Sequence, residues 1–264
     1  MISPARAHAM RAAAAAQQAA PADTARADAT AYELMLAKLH ADKRRLKAIE
    51  SQAAKIECKR KLLPDYVHWI DGALRGTGAQ DDVLMTVLVW RIDAGDWRGA
   101  LDIAAYALKH GLLLPDQYQR NLPCLIAEEI ADNALKFESV PRDVLIETDQ
   151  MLAGHDMPDQ VRAKLAKAIG YALVKEAGDG TAGTSLFLKQ QAVQALERAK
   201  RLHDKVGVTK DLERLGRELK NSAPPAPPPA RADTGRSPRR AAGGGDVHPH
   251  RSKPPPPPPP IPST

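Results

Sequence analysis

Along most of the chain, apolar residues recur at intervals of three and four, as one face of an α-helix requires. From Thr30 the series Met35, Leu39, Leu46, Ile49, Ala53 and Ile56 keeps this pattern, broken once by Asp42. Thr30 and Glu33 have the spacing of a capping box, and Pro64 stops the run. The pattern predicts one amphipathic helix from Thr30 to about Lys61, roughly 48 Å long at 1.5 Å per residue. Such a rod suits association with a second copy through Met35, Leu39, Leu46, Ile49 and Ile56, or packing across its own domain. Shorter helices are predicted over 64–75, 80–94, 97–110, 123–137, 142–152, 158–177, 188–204 and 210–220. Asp96, Asn121 and Asp156 are placed to cap, Pro123 and Pro158 to sit in first turns, and Gly111 to terminate. No segment reads as a strand. Val89 to Gly111 and Gly170 to Gly207 each read as helix, Gly-Asp turn and helix, a weak similarity suggesting tetratricopeptide-like hairpins. The expected class is all-α: a long basic amphipathic helix, then a helical-hairpin body.

The two ends differ from this body. Residues 1–29 are mostly Ala and offer no apolar face, so they read as a disordered arm. Of 22 prolines, 15 fall in 222–264, seven of them consecutive from Pro254 to Pro260. That tail reads as disordered, with a polyproline II run at its end. The expected divisions are therefore 1–29, 30–63, 64–221 and 222–264. Aromatics make up only 4% of residues, which argues against an all-β protein.

Charge is uneven. The net charge is +6, and residues 38–61 alone sum to +6 while 62–221 sum to −4. Concentrated positive charge points to a polyanion partner. Lys43, Arg44, Lys47, Lys55, Lys59 and Lys61 are the candidate phosphate contacts. Of these, Arg44, Lys47, Lys55 and Lys59 project opposite the apolar seam of a continuous helix. A merely solvated face is the alternative reading. The two cysteines, Cys58 and Cys124, have no metal-ligand spacing and suggest a reducing compartment. No stretch approaches a membrane span, and the N-terminus is a poor secretory signal. The cytoplasm is the expected location, with no membrane partner.

No phosphate-cradling loop of the GxxxxGK[ST] type occurs, nor GxSxG or HExxH. The chain is not expected to hydrolyse ATP, and it is not expected to act as an enzyme by itself. The alternative is a metal-dependent endonuclease using Asp81, Asp82 or Asp93 with Mg²⁺. Helix capping explains Asp81 and Asp82 more cheaply. Glu128 and Glu129 are adjacent and would point about 100° apart on a helix.

These residues resemble a known family. Ser3-Pro4-Ala5 with His8 and Met10-Arg11 is similar to the start of the small terminase subunits of peduovirus-type tailed bacteriophages. Tyr32-Glu33, Met35-Leu36, Lys38-Leu39 and Leu46-Lys47-Ala48-Ile49 resemble that family's first helix. The most specific block runs from Gly78 to Val87 and continues through Trp90-Arg91 and Asp93. Ala100-Leu101, Tyr106-Ala107-Leu108, Glu128-Glu129, Met157 to Leu165 and Leu212 to Leu215 follow in order. The resemblance covers about 1–220. It departs at Gly178–Gln191, which is longer than the family's turn, and in the proline-rich tail. It implies recognition of the cohesive-end packaging site in viral genome packaging, in a phage or prophage setting. It also implies assembly as a homo-oligomer, often a ring, and a partner large subunit carrying the ATPase. The host bacterial cytoplasm is the implied location. Family members are also described as the terminase endonuclease subunit.

Overall fold

The computed structural model describes residues 3–19, 26–115, 120–180 and 183–222, and among these no residue is in a strand. Helix α1 spans Pro4–Ala19, α2 Arg26–Lys47, α3 Gln52–Leu62 and α4 Val67–Ala73, the last entered through a 3₁₀ turn at Leu63–Tyr66. Then come α5 Asp82–Ala94, α6 Trp97–His110, α7 Leu122–Phe137 and α8 Arg142–Met151. Helices α9 Asp159–Ala177, α10 Gly183–Leu202 and α11 Thr209–Ser222 complete the described chain. The all-α expectation holds.

Helix α5 is apolar on every side, and the fold is organised around it. Val83, Leu84, Met85, Val87 and Leu88 are fully buried, as a helix without a polar face must be. It pairs with α6 across Gly95 and Asp96. Gly95 ends α5 at φ +80°, a left-handed conformation that costs glycine little. Asp96 then accepts the Gly99 N–H at 3.2 Å and starts α6. A second hairpin, α9–α10, packs closely where Gly170 meets Leu196. The two hairpins are not stacked as neighbouring repeats, because α7 and α8 lie between them and contact both. Trp69, Trp90 and Trp97 are all core residues.

The single rod expected from Thr30 to Lys61 is two helices. Residues 48–51 break it, and Ser51 adopts an extended conformation and accepts the Ala54 N–H at 3.4 Å. This starts α3 afresh and lets it turn onto α5 instead of continuing along the line of α2. Upstream, α2 begins at Arg26, so Thr30 lies inside the helix and does not cap it. Similarly, Asp156 is not the cap of α9, whose cap position is Pro158 without a side-chain bond.

The Ala-rich segment read as an arm contains α1, which lies on α4 and α2. Alanine methyls and Met10 form the contact, and the Arg11 guanidinium meets the His68 ring nitrogen at 2.9 Å. A Cβ on Gly72 of α4 would come within 2.3 Å of the Arg11 carbonyl oxygen and 2.7 Å of the Ala14 Cβ. Gly72→Val is therefore expected to unseat α1. Hydrogen exchange should show protection lost over residues 4–19 and kept in α5; unchanged protection of α1 would contradict this seat. Beyond Ser222, the expectation for the tail lies outside the described residues.

Candidate nucleic-acid interface

The two halves of the basic segment meet at the 48–51 elbow and are held to the body by polar contacts. Lys38 pairs with Asp42 at 2.7 Å and Asp65 at 3.0 Å, and lies over the Tyr66 ring at 4.6 Å. The Tyr66 hydroxyl donates to Asp42 at 2.7 Å. In α3, Lys59 is paired with Asp93 of α5, and the Arg60 Nε donates to the Ala94 carbonyl at 3.0 Å. Arg60 also meets Glu57 one turn earlier.

These ties sort the six cations singled out in the sequence. Arg44, Lys47 and Lys61 are exposed and form no ion pair with another described residue. Lys55 is half-buried. Lys43 is also half-buried, and the loss of water around it lowers its pKa despite the nearby Asp82 charge. Lys59 does not project opposite the seam. It is spent on Asp93, because α3 has turned towards α5. Sequence reasoning passed over Arg45, which is exposed beside Arg44 and Lys47 in the last turn of α2. The signal for it was the early end of α2, since cations in a final turn complement the helix dipole.

The seam is consumed by the chain itself. Met35, Leu39 and Leu46 are buried in the central core, and Ile49 packs against it. Ile56 is half-buried at the edge of a cavity formed with α7. A stripe of apolar residues has the same spacing whether its cover comes from the same chain or a second copy. Here α1, the α4 region and α5 supply the cover, so these residues do not form a free seam on the folded chain.

The acidic candidates separate as well. Asp81 is fully buried. Its carboxylate accepts the Val83 and Leu84 N–H groups at 2.9 and 3.0 Å and the Trp69 indole N–H at 2.9 Å. Burial raises its pKa, although these three bonds pull the other way. Asp82 lies in the first turn, where its N–H meets the Tyr32 hydroxyl at 3.2 Å. Burial lifts that hydroxyl to about 12. Asp93 stands at the far end of α5, about 17 Å from Asp82 by helical rise. The three cannot ligate one ion. Among the described residues no group of three His, Cys, Asp or Glu side chains is placed to hold a metal. Glu129 of α7 has a pKa raised by burial and by the Asp93 and Asp132 charges. Asp132 is held low, against its burial, by Lys164 at 2.5 Å and Lys136 at 3.3 Å. Among the described residues no helix is long and apolar enough to cross a membrane.

The sequence profile of the family described as "Phage small terminase subunit" matches residues 36–160, from within α2 to the start of α9. The "Terminase, endonuclease subunit" of Escherichia phage P2 is 45% identical over 245 residues, covering 91% of this chain and 93% of that one. The chain belongs to the phage small terminase subunit family. The "Probable terminase, endonuclease subunit" of Haemophilus phage HP1 (strain HP1c1) is more distant, 26% identical over 196 residues, 69% of this chain and 68% of its own. No solved structure matches this small terminase subunit. The family profile spans both the elbow cations and the Asp81 cap.

Proposed function

We propose that this small terminase subunit binds double-stranded phage DNA at the packaging site and acts there with a large, ATP-hydrolysing terminase subunit in the host cytoplasm. The observation that carries the reading is the exposed cations without ion pairs among the described residues on α2 and α3, Arg44 and Lys47 at the elbow and Lys61 in the last turn of α3, beside a body, residues 62–221, that sums to −4. Arg44, Lys47 and Lys61 carry phosphate contact, with Arg45 added and Lys43 and Lys55 at the margin. Lys59 is set aside because its charge is already matched. So few cations per chain give only modest, salt-dependent affinity. Assembly of several copies, in a ring or otherwise, multiplies the contacts without any new surface.

Both relatives are named as terminase endonuclease subunits, which favours a second reading, an endonuclease; on that reading the chain itself cuts the packaging site with Mg²⁺. One experiment separates the two. Purified chain is mixed with Mg²⁺ and a plasmid carrying the packaging site of its own phage, without the large subunit. Mobility shift and cleavage are read on the same samples. Shift without cleavage is the expected result. Site-specific cutting that EDTA abolishes would replace the first reading with the second, and absence of any shift would remove the DNA-binding role.

A further inference from the structure

Helix α7 ends in an exposed aromatic ring. Phe137 is 68% accessible, and the next residue, Glu138, adopts φ +49°, the only positive φ outside glycine among the described residues. A Phe ring left in water forgoes its burial energy, and nothing in the packing of α7 requires it. The ring borders a cavity of about 360 Å³, whose other walls include Ile56 and Arg60 of α3, Trp97 of α6 and Asn133 of α7. That volume falls within the range of sites for small planar groups.

The walls differ in chemistry. Phe137 offers an exposed aromatic face, and Ile56 and Trp97 an apolar lining. Asn133 stands one turn before Phe137, and its amide N–H donates to the Glu129 carbonyl at 2.9 Å. That bond leaves the amide oxygen free to accept. The Arg60 Nε is held by the Ala94 carbonyl and its Nη1 by Glu57, which leaves Nη2 as the remaining donor of a side chain about half exposed. Asp93 also lines the cavity, but Lys59 matches its charge. An aromatic face, an amide acceptor, a guanidinium donor and the exposed Lys61 after it are groups that an unpaired base and its phosphate can use. Ile56 and Arg60 lie on one stripe of α3, and the exposed Lys61 follows directly.

We propose that this cavity receives an unpaired nucleobase, stacked on Phe137, from a DNA strand whose backbone runs over Arg60 and Lys61. The inference rests on the reading that the α2–α3 elbow binds DNA, and it adds a preference for opened over fully paired duplex. Stacking of one base on an aromatic ring supports a preference of roughly five- to 150-fold.

The test measures affinity of the full chain for three labelled DNAs of one length: a paired duplex, the same duplex with a short unpaired bubble, and the single strand. The bubble is expected to bind about tenfold tighter than the duplex. Phe137→Ala should abolish that difference while leaving duplex affinity and thermal stability unchanged, and Phe137→Trp should preserve it. A 2-aminopurine in the bubble should lose fluorescence on binding to the wild type and not to Phe137→Ala. Equal affinity for bubble and duplex, or a bubble preference indifferent to Phe137→Ala, overturns this inference and leaves the elbow reading standing. Absence of binding to all three overturns both. Loss of binding to the large subunit in Phe137→Ala, with DNA binding intact, would make the cavity a protein-docking site and overturn the assignment.

Discussion

Replacing Asp81 with Ala should destabilise the chain by about 2–4 kcal/mol, among the largest effects of any single polar substitution in it. The carboxylate caps α5 and serves three buried donors at once. Loss of the cap costs about 1 kcal/mol. Val83 and Leu84 are the donors of that cap, and leaving the buried Trp69 N–H without an acceptor adds about 1–3 kcal/mol. For a domain of this size the midpoint of thermal unfolding should fall by roughly 10 °C. Asp81→Asn should be intermediate, because its oxygen still accepts from the α5 backbone while its amide group faces the Trp69 donor. The two carboxyl forms add a pH signature. The Asp81 pKa is raised in the folded chain. The group's contribution is therefore greatest below the ordinary carboxylate range and falls as pH rises through the raised value. Asparagine does not titrate. The deficit of Asp81→Asn relative to wild type should thus narrow as pH rises from 4 to 7, as read from chemical unfolding curves. A midpoint for Asp81→Ala within a degree or two of wild type would show that Asp81 does not hold α5 in this way.

The largest effect on function should come from reversing Arg44 and Lys47 together. Each phosphate contact contributes about 0.9 to the slope of log affinity against log salt. Losing two contacts should make that slope shallower by about 2, and lower affinity on the order of 100-fold near 0.1 M salt. Repulsion from the introduced carboxylates deepens the loss. The same two cations complement the negative end of α2, so reversal should also cost some stability, about 0.3–1 kcal/mol each. Gln at both positions isolates the lost contacts from the added repulsion. Sedimentation should show the assembly state unchanged in both variants, so that the lost affinity reports lost phosphate contacts and not lost subunits. Unchanged affinity at moderate salt would move DNA binding away from the elbow.

Much of the fold was legible because its punctuation is local. Gly95, Asp96 and Gly111 bound α6 as their chemistry dictates. Asn121 accepts the Cys124 N–H at 3.0 Å and starts α7. The break at 48–51 was hidden because Ala48 and Ile49 continue the helical period through it. Its only sign was Ser51, a cap without the acidic partner three residues later. Helix α1 was hidden for a different reason. Its contact is built largely from alanine methyls, with Met10 and an Arg11–His68 bond beside them, and an Ala-rich segment looks the same on the page whether docked or free. The candidate site was half legible. Charge concentration located the cations, but only the turn of α3 onto α5 separates Lys59, already paired, from Lys47 and Lys61. The Phe137 cavity draws on α3, α6 and α7, so no spacing in the sequence records it.

The ties between α3 and the α5–α6 turn bear on tension in the DNA. Lys59 grips Asp93 and Arg60 grips the Ala94 carbonyl, so α3 is pinned at its later half to the most deeply buried helix of the fold. Pull on a strand held along α3 would pass sideways into α5 and be shared across the core. It would not peel α3 away through the four residues of the elbow. On the proposed reading, a subunit made this way would hold DNA under traction without giving up its grip one turn at a time.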